Sequence, residues 1–308
     1  MTTTYLRYIL LTLTFLTTCT GTQAADARQL RWLTIHDGLA GLTVTSIKED
    51  ASGKMWLATS NGVSLFNGVS FKNYALPRPT NSSANYCFDI DTDTRGNLWA
   101  ATRDGVFVLN RYADGFERVG DITKAECVAC AGDTVYIGTR TGLFVIDSDR
   151  RSRQINITEG AVTENSSIRC LRLSKGDVWL TMRNGLVRLN RTTGKSTWHK
   201  LEVPSGLGRF DICAGKFFVG TKNNGLYIFN PANGNLRHIN SLGNVIGEVN
   251  ACGDSVVCIS VNGDGGYLLD ARKETIREHF STNNTDGLAL PDNSLNTFVK
   301  TKAGTYWF

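Results

Sequence analysis

Apolar and polar residues alternate along most of this chain, in short segments that are separated by glycine-containing turns. VTSIKED, beginning at Val44, is one such segment, and MWLATSNG, beginning at Met55, is the next. A period of two residues is typical of β-strands, and the 3.6-residue period of an amphipathic helix is absent throughout. The pattern therefore predicts an all-β fold.

A segment similar to MWLATSNG recurs about every 40 residues. The clear copies are MWLATSNGVSLFNG, LWAATRDGVFVLNR, VYIGTRTGLFVIDS, VWLTMRNGLVRLNR and FFVGTKNNGLYIFN, and VVCISVNGDGGYLLD is a divergent sixth. We interpret the aromatic residue near the start of each copy as a structural anchor that fills the apolar layer between repeats. The anchors are Trp56, Trp99, Tyr136, Trp179 and Phe218, with Val257 in the divergent copy and Trp307 in the last.

Each repeat reads as four strands. The anchor-bearing second strand is followed by Asn-Gly, Asp-Gly or Thr-Gly, which favours a tight hairpin, and two further strands follow. Four antiparallel strands per repeat, stacked against their neighbours, are typical of a propeller blade. We therefore predict that residues 25–308 form a β-propeller of six complete four-stranded blades plus part of a seventh, incomplete at the C-terminus, with one further outer strand at residues 29–39.

The first residues have a different character. One early cation, Arg7, precedes an apolar stretch and then small residues, and Thr22-Gln23-Ala24 satisfies the small-x-small rule for cleavage. Residues 1–24 are therefore predicted to be a secretory signal peptide, so that the mature chain is exported. Lipidation at Cys19 is the alternative, because LTTC loosely resembles a lipobox.

Composition and cysteine spacing argue against nucleic-acid binding, a metal site and a disulfide framework. The chain has 308 residues, of which 41% are hydrophobic, and a formal net charge of +5 that is too dispersed to favour nucleic-acid binding. CVAC, from Cys127 to Cys130, has no second CxxC and no nearby histidine pair, so no metal site is predicted. Once Cys19 is removed, an odd number of cysteines argues against a disulfide framework. No cofactor is predicted.

The sequence offers no catalytic constellation. His199, His238 and His279 fall in fourth strands, at the predicted outer edges of blades, and His36 falls in a loop. A catalytic propeller needs acid–base groups that converge near its axis, and no nucleophile motif is present. We therefore predict that these residues do not form an enzyme.

A set of cations is the candidate ligand site. They lie four residues after the anchors of units two to five, in equivalent turns that should share one face of the propeller. These residues are Arg103, Arg140, Arg183 and Lys222, with Tyr86 as a candidate aromatic contact. The long connections 77–86 and 156–167 should open on that face. These cations on one face, which we call the crown, suit an acidic or sulfated glycan. The alternative interpretation is that they are ordinary solvated side chains of hairpin turns and bind no ligand.

Two stretches carry a family resemblance. DGLAGLTVTSIKEDASGKMWLATSNGVSLFNG, from Asp37, and DGLALPDNSLNTFVKTKAGTYWF, from Asp286, resemble the two-component regulator propeller repeat. The repeat reads roughly D-G-L, a strand, D-x-x-G-x-x-W-x-x-T, then G-L and a strand that ends in Asp or Asn. The resemblance covers nearly all of residues 30–308, although units three, five and six lack D-G-L and the tryptophan.

This resemblance implies a truncated periplasmic sensor region of a hybrid two-component system histidine kinase of the Bacteroidetes type. Such regions typically sense oligosaccharides and control transcription of polysaccharide-use genes. The full-length parent is expected to be a homodimer, anchored in the inner membrane by a helix downstream of these residues. A secreted propeller enzyme that acts on glycans and a stand-alone protein-binding scaffold are the alternatives.

Overall fold

The structure is a computed structural model that describes residues 30–77, 85–110, 112, 114–157, 167–182, 184–243, 245–285 and 288–308. The predicted signal peptide, with Cys19, lies outside the described residues, as does most of both long connections. The described residues form 26 strands and one 3₁₀ turn, Ile35–Asp37. They include no helix long and apolar enough to cross a membrane. The all-β prediction is confirmed.

The first three sheets each contain four antiparallel strands in chain order. Blade 1 consists of β1 (Val44–Glu49), β2 (Met55–Thr59), β3 (Gly62–Phe66) and β4 (Phe71–Tyr74). Blade 2 consists of β5 (Cys87–Thr92), β6 (Leu98–Thr102), β7 (Val106–Leu109) and β8 (Glu117–Arg118). Blade 3 consists of β9 (Ala125–Ala131), β10 (Thr134–Thr139), β11 (Gly142–Ile146) and β12 (Ser152–Ile155).

The next three blades repeat this order, and a two-stranded sheet follows them. Blade 4 consists of β13 (Leu171–Ser174), β14 (Asp177–Met182), β15 (Gly185–Asn190) and β16 (Ser196–Lys200). Blade 5 consists of β17 (Leu207–Cys213), β18 (Lys216–Thr221), β19 (Leu226–Asn230) and β20 (Asn235–Ile239). Blade 6 consists of β21 (Ile246–Cys252), β22 (Val256–Val261), β23 (Gly265–Asp270) and β24 (Thr275–Phe280). The seventh sheet pairs β25 (Val299–Lys300) with β26 (Tyr306–Trp307). Six complete blades and part of a seventh are confirmed.

The turn between the second and third strands is built by the threonine and glycine of the repeat. Thr59 donates its hydroxyl to the Gly62 carbonyl at 2.9 Å and accepts the Asn61 amide at 3.1 Å. Gly62 has a φ of 98°, and a Cβ there would lie 2.5 Å from the Tyr74 carbonyl oxygen, so glycine is required. The same threonine-to-glycine bond recurs in other blades, at Thr102 and Gly105, Thr139 and Gly142, and Thr221 and Gly225.

Apolar clusters between successive sheets hold the ring together. In each, a residue of the second strand packs against the following sheet, which buries the face that a single blade would expose. Trp56, Trp99, Tyr136, Trp179 and Phe218 occupy this position in blades 1 to 5. Trp99, Tyr136, Trp179 and Phe218 are buried, and Trp56 is partly buried.

The seventh sheet lies between blade 6 and blade 1. Phe298 packs with Leu268 and Phe280 of blade 6, and Trp307 packs with the core of blade 1. The Trp307 and Phe66 rings are 5.6 Å apart in an edge-on arrangement. The two-stranded sheet therefore connects the last complete blade to the first.

Two expectations about strands are corrected. No strand forms within residues 30–39, because the chain there turns through the 3₁₀ segment that Thr34 caps. Val257 is not the sixth anchor. In blade 4 the anchor Trp179 pairs with Arg172 of the first strand, and in blade 6 the residue that pairs with the equivalent first-strand position, Asn250, is Cys258. The turn after Cys252 contains one residue more than its counterpart in blade 5, which shifts the register by one.

Candidate functional site

The first strand of each blade lies at the propeller axis and carries charged side chains. First strands of consecutive blades contact one another, so alternate residues on them face their counterparts across the ring. The charged residues that meet there are Asp89, Arg172, Arg209, Asp211 and Glu248, which we call the axial ion network.

Arg209 of blade 5 connects distant blades. Its guanidinium lies 3.7 Å from a carboxylate oxygen of Asp89 in blade 2 and 3.4 Å from one of Glu248 in blade 6. It also donates to the Phe88 carbonyl at 3.5 Å. One side chain therefore joins three blades.

Arg172 of blade 4 forms the second centre of the network. Its guanidinium lies 3.1 Å from Glu248 and 3.4 Å from Asp211, and it donates to the Asn250 side chain at 3.4 Å. Burial raises the pKa of Glu248, and the Arg209 and Arg172 guanidiniums oppose that shift. Glu248 thus bridges two arginines at the axis.

The axial carboxylates also accept backbone amides from the next blade. Asp89 accepts the Val128 amide at 3.2 Å, and Asp211 accepts the Ala251 amide at 2.8 Å. Asp91 accepts the Cys130 amide at 2.8 Å and lies 3.3 Å from the Lys48 ammonium, which it holds at a raised pKa. These carboxylates are therefore engaged in joining blades.

A cavity of about 410 Å³ opens at one end of the axis, and we call it the axial pocket. It lies on the face formed by the turns between second and third strands, because Arg140 and Lys222 of those turns reach its rim. Its size falls within the range of small-molecule sites. Its lining includes Phe88, Glu126, Arg140, Arg169, Gly208, Arg209, Lys222 and Gly247.

The structure brings together part of the predicted crown. Arg140 and Lys222 line the axial pocket, whereas Arg103 is exposed on an equivalent turn outside it. Arg183 lies outside the described residues. Tyr86 is partly buried, and its ring lies 4.9 Å from that of Phe88, which does line the pocket.

Sequence reasoning missed Arg169 and Arg209, which also line the axial pocket. Both belong to the inner part of their blades rather than to the turns that the repeat alignment emphasised. The signal that could have found Arg209, although not Arg169, is the recurrence of charged residues at the same position of otherwise apolar first strands. Asp89, Arg209 and Glu248 show that pattern in the sequence.

A second cavity, of about 650 Å³, lies between blades 1 and 2 at the opposite end of the strands. Its carboxylates, Asp50 and Asp93, accept amides of their own turns and the indole N–H groups of Trp56 and Trp99. Those bonds give both carboxylates a structural role. No group of three or more histidine, cysteine, aspartate or glutamate side chains among the described residues could hold a metal ion.

Comparison with known families supports the repeat assignment. Residues 38–61 match the family model described as Two component regulator propeller. The matched stretch includes the Asp50 turn, Trp56 and the Thr59 hairpin, which are the parts of the repeat with defined structural roles. The resemblance seen in the sequence is confirmed for this unit.

The fold is similar to solved extracellular domains from B. thetaiotaomicron. The domain of the putative one component system BT4673 has a TM-score of 0.74 and 18% identity, over 92% of this chain and 39% of that chain. The domain of the putative hybrid two component system BT3049 has a TM-score of 0.72 and 19% identity, over 90% of this chain and 40% of that one. At these identities the likeness establishes the shared fold.

A computationally designed protein, Ika8, is also similar, with a TM-score of 0.57 and 10% identity over 77% of this chain and 74% of that chain. The chain spans only about two fifths of the length of the two extracellular domains. No curated protein sequence matches it.

Proposed function

We propose that this chain is the extracytoplasmic, ligand-sensing propeller of a two-component regulator. The observation that carries the proposal is the match of residues 38–61 to the Two component regulator propeller family. The likeness to extracellular domains over more than nine tenths of the chain supports an extracytoplasmic location. A signal peptide at residues 1–24 would deliver the chain there.

The proposed ligand is an oligosaccharide, and the proposed output is transcription of polysaccharide-use genes through parts of the parent beyond these residues. The axial pocket supports ligand binding by its size and its convergent polar groups. We also propose that the chain is not itself an enzyme. In support, Asp89, Asp211 and Glu248 are held by arginines, which leaves them poorly suited to proton transfer.

Signalling would proceed by a rigid-body rearrangement within a homodimer of the parent. A ligand shifts such an equilibrium only by its differential affinity for the two arrangements, a coupling of about 1–3 kcal/mol. The cross-axis contacts of Arg209 and Arg172 favour this mechanism over a deformation within the ring. A propeller held across its axis moves as one body.

Calorimetric titration of the purified chain with neutral and acidic oligosaccharides tests the binding function. We expect saturable heat with one class of glycan and none with heat-denatured protein. In the native host, in-frame deletion of the codons for residues 30–308 should abolish the transcriptional response to that glycan. A flat titration across a broad panel, or a response that survives the deletion, would contradict the proposal.

A further inference from the structure

We propose that the axial pocket binds the anionic group of a small cyclic ligand, a carboxylate or a sulfate, between Arg169 and Lys222. The inference rests on the proposed sensing function for the source of the ligand and names the chemistry that recognises it. It concerns one end of the axis and residues of blades 2 to 6.

The charge balance of the axial pocket supports an anionic ligand. Four cations line it against one carboxylate, Glu126, which already pairs with Arg140 at 2.6 Å. Among the described residues, Arg169 and Lys222 form no ion pair, and both are exposed. A cleft lined by one sign of charge concentrates counter-ions, and charge-assisted hydrogen bonds are stronger than neutral ones. These two side chains are therefore available for a ligand.

Arg209 has a different role in the same pocket. It is committed to Asp89 and Glu248 in the axial ion network, so its charge is largely compensated. It adds hydrogen-bond donors at the base of the pocket, where the ligand would approach the network. We therefore assign the binding of the anion to Arg169 and Lys222. Arg209 forms the base of the pocket.

The shape of the pocket follows from two glycines. Gly208 and Gly247 directly precede the axial residues Arg209 and Glu248, at the position where blades 2 to 4 carry Phe88, Glu126 and Arg169. A Cβ on Gly247 would lie 3.0 Å from the Leu295 carbonyl oxygen, so this wall carries no side chain. Blades 5 and 6 therefore contribute only backbone to the pocket lining at these two positions.

Phe88 gives the pocket an apolar surface beside the cations. Its ring is supported by Tyr86, with a centroid separation of 4.9 Å. An aromatic wall with a few placed polar groups is the usual composition of a small-molecule site. A ring that carries an acidic substituent, such as a uronic acid or a sulfated sugar, presents both an apolar face and an anion.

The experiment is calorimetric titration of the purified chain with sodium glucuronate, glucose 6-sulfate, sodium sulfate and neutral glucose at constant ionic strength. We expect saturable binding of at least one acidic sugar and none of glucose. The double variant Arg169→Gln/Lys222→Gln should weaken that binding about tenfold or more, which corresponds to about 1.4 kcal/mol. Arg103→Gln, which removes an equivalent turn cation outside the pocket, should leave the affinity unchanged.

The separate arms identify the ligand group. Preference for glucuronate assigns a carboxylate, and preference for glucose 6-sulfate assigns a sulfate. Inorganic sulfate bound as tightly as the sugars, and equally dependent on Arg169 and Lys222, would overturn the assignment of a cyclic ligand, because the anion alone would then account for the binding. Absence of binding by every anion, or equal weakening by Arg103→Gln, would overturn the proposal.

The design separates this site from the sensing function. If a glycan that triggers the host response binds the wild type and the double variant with equal affinity, sensing stands and this site is wrong. If acidic sugars bind through Arg169 and Lys222 but the host response survives deletion of residues 30–308, the site stands and the sensing function is wrong.

Discussion

At the scale of single residues, the cysteines show how neighbours control chemistry. The described residues contain seven free cysteines, all in or beside first and second strands. Burial raises the pKa of Cys87, Cys127 and Cys130, which behave as small apolar residues. Cys252 differs because a hydrogen bond with Cys258, at an Sγ–Sγ distance of 2.8 Å, lowers its pKa.

We therefore expect Cys252 to be the more reactive thiol of two that are similarly exposed. Alkylation of the reduced protein with limiting iodoacetamide at pH 7.5 should modify Cys252 about tenfold faster than Cys130, because the thiolate is the nucleophile. Peptide mass spectrometry at successive times measures both rates. Equal rates, or faster modification of Cys130, would show that the hydrogen bond does not favour the Cys252 thiolate.

At the scale of elements, the repeat motif describes a self-contained turn. In blade 2, Asp93 accepts the Arg95 and Asn97 amides at 3.0 and 2.9 Å and the Trp99 indole N–H at 3.0 Å. Asp50 makes the same contacts in blade 1, including one with Trp56 at 3.2 Å. The aspartate and tryptophan of the motif are thus bonded partners.

Replacement of Trp99 by phenylalanine tests this pairing. It keeps an aromatic ring in the interface but removes the indole donor to Asp93 Oδ2, which retains only the Asn97 side-chain amide, and this loss costs about 1.5 kcal/mol. Trp179→Phe is the matched control, since its turn carries Ser174 where blade 2 has the aspartate. Urea unfolding should show the larger loss of stability for Trp99→Phe. A loss no larger than that of Trp179→Phe would mean that the indole bond contributes nothing.

Local chemistry explains which elements were predictable. Alternation, the glycine-containing turn after the second strand and the anchor each depend on residues within a few positions, so the strands of blades 1 to 5 follow from the sequence. The sixth anchor did not follow, because one extra turn residue moves Cys258 to the place expected for Val257. Residues 30–39 did not follow either, since the Thr34 cap gives them an alternative to a strand.

At the scale of the whole molecule, the contacts at the propeller axis join residues that are distant in the sequence. Arg209 donates to the carbonyl of Phe88, 121 residues away, and no local pattern predicts that contact. The arrangement of the blades around the axis determines which turn cations come together. Arg140 and Lys222 reach the axial pocket, and Arg103 does not. The crown was predictable as a set of equivalent positions, and its geometry was not.

Glu248 is the residue whose loss should disturb the axis most. It is 7% exposed and bridges Arg172 and Arg209, and removal of one partner of a buried charge pair costs about 3–5 kcal/mol. Glu248→Gln should therefore lower the free energy of unfolding by about 3 kcal/mol. Glu202→Gln is the control, because its pair with Lys200 is exposed and should contribute less than about 1 kcal/mol. Equal urea midpoints for the two variants would show that the axial ion network does not stabilise the ring.

A crystal structure of the protein soaked in selenate, with anomalous data at the selenium edge, tests the central claim most directly. That claim places an anion site at the axis of a ring of six four-stranded blades and a two-stranded seventh sheet. The account predicts a selenium peak in the axial pocket, within hydrogen-bonding distance of Arg169 and Lys222. Selenium peaks confined to other surfaces, no peak at all, or sheets that do not surround a common axis would contradict it.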